Sequence, residues 1–107
     1  MKDIKVIFMG TPTFAVPILE NLIKETNVIL LVSQPDREKD RKGNILPTPI
    51  KKLAQENNIE VYQPQKIKES YEKITNLNPD IIITCAYGQI IPEAILNCPK
   101  YGCINVH

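Results

Sequence analysis

Near the carboxyl end of the chain, Asn105 and His107 sit two positions apart in the run Gly102-Cys103-Ile104-Asn105-Val106-His107. The run predicts a strand, and alternate residues of a strand share a face. Asn105 and His107 should therefore point the same way, roughly 6 to 7 Å apart along the backbone. An amide that donates to a developing oxyanion, beside an imidazole that carries or relays a proton near neutral pH, suits acyl transfer. A lone histidine is more often a plain surface residue, so the pair takes its meaning from what surrounds it.

A second candidate is Cys85-Ala86-Tyr87-Gly88-Gln89-Ile90-Ile91-Pro92, which follows the apolar run Ile81 to Cys85. It falls at the carboxyl edge of a strand, where open α/β sheets bind ligands. A small planar heterocycle could bond to the main chain around Gln89, Ile90 and Ile91 while the isoleucines cover its face. The competing reading is an ordinary strand-to-helix turn. Met9-Gly10-Thr11-Pro12 stands where a dinucleotide-binding protein places Gly-x-Gly-x-x-Gly, but only Gly10 is present and a proline follows. The phosphate cradle is missing, which argues against NAD and leaves a tight turn as at least as good a reading of Gly10.

The third candidate is the segment Gln34 to Pro47, in which Arg37, Lys39, Arg41 and Lys42 alternate with Asp36, Glu38 and Asp40. Loops longer than about 12 residues are uncommon unless functional or disordered. Being charged and poor in apolar anchors, this one should be mobile. With Lys51 and Lys52 the balance over residues 36–52 is +3, enough for a few phosphate contacts but equally typical of a solvated face.

These segments need a frame to hold them. Apolar runs rich in β-branched residues recur at Ile4 to Met9, Val28 to Ser33, Ile81 to Cys85 and Cys103 to His107, with helix-like segments between. That alternation predicts βαβ units with a parallel sheet, and runs apolar at nearly every position suit strands covered on both faces. The expected fold is α/β, Rossmann-like, with a doubly wound, mostly parallel sheet. Helical spacing of Phe14, Ile18, Leu19, Leu22 and Ile23 predicts a first helix with Thr13 as N-cap and Pro17 in its first turn. A second should run from Pro49 to Asn57 with Thr48 as its cap, and a third from Ile67 to Leu77.

The 107 residues, 43% hydrophobic and 23% charged, suit one domain or part of one. A net charge of +1 gives no global case for nucleic acid, so any RNA contact must be local. No apolar stretch approaches the roughly 18 residues of a membrane span, and no secretory leader is evident, so a cytosolic protein is expected; a monomer is the expectation for its assembly, though no feature of the sequence argues it. Cys85, Cys98 and Cys103 lack metal-site spacing and read as buried reduced thiols.

Taken as a set, Phe8-Met9-Gly10-Thr11-Pro12-Thr13-Phe14-Ala15-Val16-Pro17, Gln34-Pro35-Asp36-Arg37, Ala86 to Pro92 and Gly102 to His107 resemble the methionyl-tRNA formyltransferase family, in its order and spacing. The Gly-Cys-Ile-Asn-Val-His run is shared more widely among users of 10-formyltetrahydrofolate, whereas the opening motif and Gln-Pro-Asp-Arg narrow the match. The resemblance implies attack by the α-amine of initiator methionyl-tRNA on the formyl carbon of 10-formyltetrahydrofolate. Asn105 and His107 would polarise the formyl oxygen and stabilise the tetrahedral oxyanion. Backbone near Gln89, Ile90 and Ile91 would bind the pterin, and Arg41, with Lys42 beside it, would contact tRNA. Neither a metal nor a covalent enzyme intermediate is implied.

Two departures accompany the resemblance. In the family the histidine motif continues into Ser-Leu-Leu-Pro, with a catalytic Asp further on. The expectation is therefore the amino-terminal part of the catalytic domain, truncated, inactive alone and without the carboxy-terminal tRNA-binding domain. After Gln-Pro-Asp-Arg the chain reads Glu38-Lys39-Asp40-Arg41-Lys42-Gly43 rather than the family's proline and Gly-Arg-Gly. Alternatives left open are another 10-formyltetrahydrofolate user, acting on a small amine or nucleotide sugar or hydrolysing the folate, and a noncatalytic α/β ligand-binding module.

Overall fold

The computed structural model describes residues 2–106. Five strands, β1 (Lys5–Gly10), β2 (Asn27–Val32), β3 (Val61–Tyr62), β4 (Ile81–Cys85) and β5 (Cys103–Asn105), form one sheet in the order β3-β2-β1-β4-β5. Every neighbouring pair is parallel. Four α-helices alternate with them: α1 (Val16–Glu25), α2 (Pro49–Glu56), α3 (Glu72–Asn76) and α4 (Glu93–Leu96).

The apolar runs have the cause expected of them. Val6 and Phe8 of β1 pack with Leu19 of α1 and Ile50 and Ala54 of α2 on one face of the sheet. Ile7 and Met9, their alternates, pack with Ile74 of α3, Ile95 of α4 and Ile67 on the other. A strand wetted on neither face has no position for a polar residue, so the sheet is doubly wound and β1 is its centre. Among the described residues no helix is long and apolar enough to cross a membrane.

α2 begins as expected: Pro49 opens it and Lys51 N–H donates to Thr48 Oγ1 at 3.3 Å. Elsewhere the chain departs from its local pattern. Thr13 does not cap α1; residues Thr13–Ala15 form a 3₁₀ turn, closed by Ala15 N–H on Pro12 O at 3.0 Å, and α1 starts at Val16. Pro17 has no N–H to give and must lie in the first turn, which fixes that start. The helix expected over Ile67 to Leu77 is split into a 3₁₀ turn at Ile67–Glu69 and α3. Ser70 leaves the helical region at φ −139°, and its carbonyl accepts from the Tyr62 hydroxyl at 2.8 Å. β3 and the single-turn α4 were not predicted, being too short to carry a period. The expected strand Cys103 to His107 is seen through Asn105; Val106 N–H still reaches Thr84 O at 2.8 Å, and His107 lies outside the described residues.

The loop from Gln34 to Pro47 carries its own hydrogen bonds. Asp40 N–H and Leu46 N–H bond to Asn44 O and Glu38 O, and the Asp40 carboxylate accepts from Lys42 N–H and Asn44 N–H at its tip. At its base Asp36 accepts from Lys51 Nζ at 2.8 Å and Gln63 Nε2 at 2.9 Å. Cys85 is buried and Cys98 and Cys103 half-buried, all three as free thiols.

Candidate active site

β4 and β5 end side by side in register, Thr84 opposite Asn105, at the carboxyl edge of the sheet. Above them opens a cleft of about 440 Å³ whose lining includes Thr84, Ala86, Tyr87, Gln89, Ile91 and Asn105. Asn105 is exposed to it, and its Oδ1 accepts from Thr84 Oγ1 at 3.0 Å. With the oxygen so engaged, the amide NH₂ is left to donate into the cleft.

The wall opposite is the turn after β4. Ala86 takes φ +50° and Gly88 φ +101°, left-handed conformations of the kind that gather at ligand sites. Among the described residues, the main chain of 88–91 makes no hydrogen bond to protein. The turn is held instead by side chains. Gln89 accepts from Ile67 N–H at 2.7 Å and donates to Gln34 Oε1 at 2.7 Å and Pro64 O at 3.3 Å. Thr11 Oγ1 donates to Tyr87 O at 2.8 Å and accepts from Gln34 N–H at 3.1 Å.

The three expected heterocycle-binding residues therefore divide. The amide of Gln89 is committed to the protein, and its backbone has no protein partner among the described residues; Ile91 lines the cleft; Ile90, 92% exposed, lies over a neighbouring depression with Gln65, Lys66, Ile67 and Lys68. Arg41 and Lys42 lie exposed at the tip of the charged loop and line neither recess. Gly10 is a close-approach residue: a Cβ there would stand 2.7 Å from the Phe8 ring and 3.0 Å from Cys85 O.

Charge in the cleft is sparse. Tyr87 is 3% exposed and its hydroxyl has no partner among the described residues. Burial, with Tyr62 nearby, pushes it up to about 12, so the phenol stays neutral and is no proton carrier at working pH. Burial also raises the Cys103 thiol, with Cys98 adding to the shift, which makes it a poor nucleophile. At the loop base, burial works against the Asp36 charge, but the bonds from Lys51 and Gln63 outweigh it and hold the carboxyl below its ordinary range.

Sequence reasoning missed Thr84, Thr11 and Gln34 as a supporting layer. Thr84 had a signal: it is the polar residue in an otherwise apolar strand run, Ile-Ile-Ile-Thr-Cys.

A wholly parallel, doubly wound sheet with a small-molecule-sized cleft at its carboxyl edge defines the ligand-using class of α/β domain. The family model described as formyl transferase matches residues 2–107, and the chain belongs to that family. It is similar to methionyl-tRNA formyltransferases of a Geobacillus species, 53% identical over 97% of this chain, and of Bacillus cytotoxicus and Bacillus cereus, at 55% and 54% over the same share. The chain spans 34% of the length of these curated relatives.

Proposed function

We propose that residues 1–107 form the amino-terminal part of the catalytic domain of an enzyme that formylates the α-amine of initiator methionyl-tRNA from 10-formyltetrahydrofolate. The observation that carries this reading is the juxtaposition, across one cleft, of the Asn105 amide and a strained turn whose 88–91 main chain has no protein partner among the described residues. A planar heterocycle with donors and acceptors on its edge suits that turn, and about 440 Å³ is within the roughly 300–1,000 Å³ of small-molecule sites.

The folate, when bound, supplies the electrophilic formyl carbon that an amine attacks. Asn105 NH₂ then donates to the formyl oxygen as negative charge gathers there, an interaction stronger in the transition state than before it. His107, outside the described residues, is assigned the proton handling by its place two positions further on. Gln89 and Thr11 hold the turn so that the heterocycle meets fixed donors and acceptors. Arg41 and Lys42 contact tRNA phosphate from the charged loop, away from the chemistry.

The similarity to methionyl-tRNA formyltransferases favours methionyl-tRNA over a small amine or a sugar nucleotide as acceptor. Steady-state kinetics of Asn105→Ala in the full-length protein test the reading. Transfer to methionyl-tRNA should collapse at saturating concentrations of both substrates. Undiminished turnover would leave a binding module in which Asn105 merely ends a strand.

A further inference from the structure

Thr84 stands 7% exposed on β4, in register with Asn105 of β5. Two hydrogen bonds tie it to the neighbouring strand: its carbonyl accepts from Val106 N–H at 2.8 Å, and its hydroxyl donates to Asn105 Oδ1 at 3.0 Å. An asparagine amide turns about a broad, two-fold terminal torsion, so its oxygen and its NH₂ can exchange places at little intrinsic cost. The two orientations are chemically opposite toward a developing oxyanion, one donating and the other repelling. When the NH₂ faces the cleft, Oδ1 faces β4, where the Thr84 hydroxyl can satisfy it. A hydrocarbon in that place would leave the amide oxygen without this partner and remove the preference.

We infer that Thr84 is a positioning residue, selecting the rotamer of Asn105 that presents its NH₂ to the formyl oxygen. The inference rests on the assignment of Asn105 proposed above. Valine has the shape of threonine without the hydroxyl and favours a buried strand, so the fold tolerates Thr84→Val; Thr84→Ser keeps the hydroxyl.

The test is kinetics on the full-length protein with 10-formyltetrahydrofolate and methionyl-tRNA, with thermal melting to verify folding. Thr84→Val should lower kcat by about 2- to 13-fold, the worth of one such hydrogen bond, with the KM of either substrate little changed. Thr84→Ser should recover most of that loss. In an Asn105→Ala background Thr84→Val should cost nothing more, because the group it orients is gone. Unchanged kcat in Thr84→Val, beside a large loss in Asn105→Ala, overturns the positioning role alone, as does an equal Thr84→Val loss in both backgrounds. If Asn105→Ala itself transfers normally, the assignment of Asn105 falls first and that of Thr84 falls with it.

Discussion

Two loops leave the carboxyl edge of the same sheet and are built on opposite principles. The turn from Ala86 to Pro92 has no charged side chain, takes left-handed backbone at Ala86 and Gly88, and is clamped by Gln89 and Thr11. The loop from Gln34 to Pro47 is densely charged, pinned at its base by Asp36 and closed at its tip by Asp40, with Arg41 and Lys42 left in solvent. They meet where Gln89 donates to Gln34. Under the proposed function the turn would recognise an uncharged heterocycle, which needs donors and acceptors held in fixed positions. On the same proposal the charged loop would attract a polyanion, an attraction that acts over about 10 Å and is screened by salt, so charges on a projecting tip would suffice.

The two loops should differ most at the cleft. Asn105→Ala should lower kcat by about 10²- to 10³-fold, the usual cost of deleting one oxyanion donor, while leaving the salt dependence of tRNA use intact. Gly88→Ala comes next. At φ +101° any side chain is strained, and its Cβ would fall 2.7 Å from Gln34 Nε2. Chemical denaturation should register about 1–3 kcal/mol, and the KM for the folate should rise while that for methionyl-tRNA holds. If the tRNA KM moves instead, the division of labour between the loops is wrong.

On the charged side, Arg41→Ala should raise the KM for methionyl-tRNA several-fold with folate binding untouched. One phosphate contact fewer should flatten the log–log salt slope by roughly 0.7 to 0.9. A fall in kcat at saturation would place Arg41 in the chemistry rather than in recognition.

Asp36 ties down the base of the charged loop. Its folded carboxyl is held below the ordinary 3.8, so its anchoring is in force above that value and is lost only as pH falls through the lowered one. A side-chain carboxyl titration followed by NMR should show the low midpoint. At neutral pH, Asp36→Asn should speed tryptic cleavage at Arg37 and Lys39; unchanged cleavage would mean the base is pinned by other bonds. The smallest effect belongs to Tyr87→Phe, which removes a buried hydroxyl with no partner among the described residues and should raise stability by about 1 kcal/mol in denaturant titration.

Some of this was legible from the chain alone. The four longer strands, the capped start of α2, the helices on both faces and a turn closing the carboxyl end of β4 all follow from periodicity, capping and strand-end position, which are properties of neighbouring residues. The tertiary structure decided the rest. β3 is only two residues long and exists because β2 offers it a ladder. The helix expected from Ile67 is interrupted at Ser70, which leaves the helical region and whose carbonyl accepts from the Tyr62 hydroxyl of β3. Gln89, which from its place in the turn could as well have faced a ligand, turns its amide inward because Ile67 N–H and Gln34 Oε1, 22 and 55 residues away in sequence, wait there for partners. Thr84 and Asn105 are 21 residues apart, and nothing local tells a threonine at the end of an apolar strand which amide it will orient. Hydrogen-bond satisfaction in a buried layer is settled between elements, so it becomes visible only once the sheet has brought β4 and β5 into register.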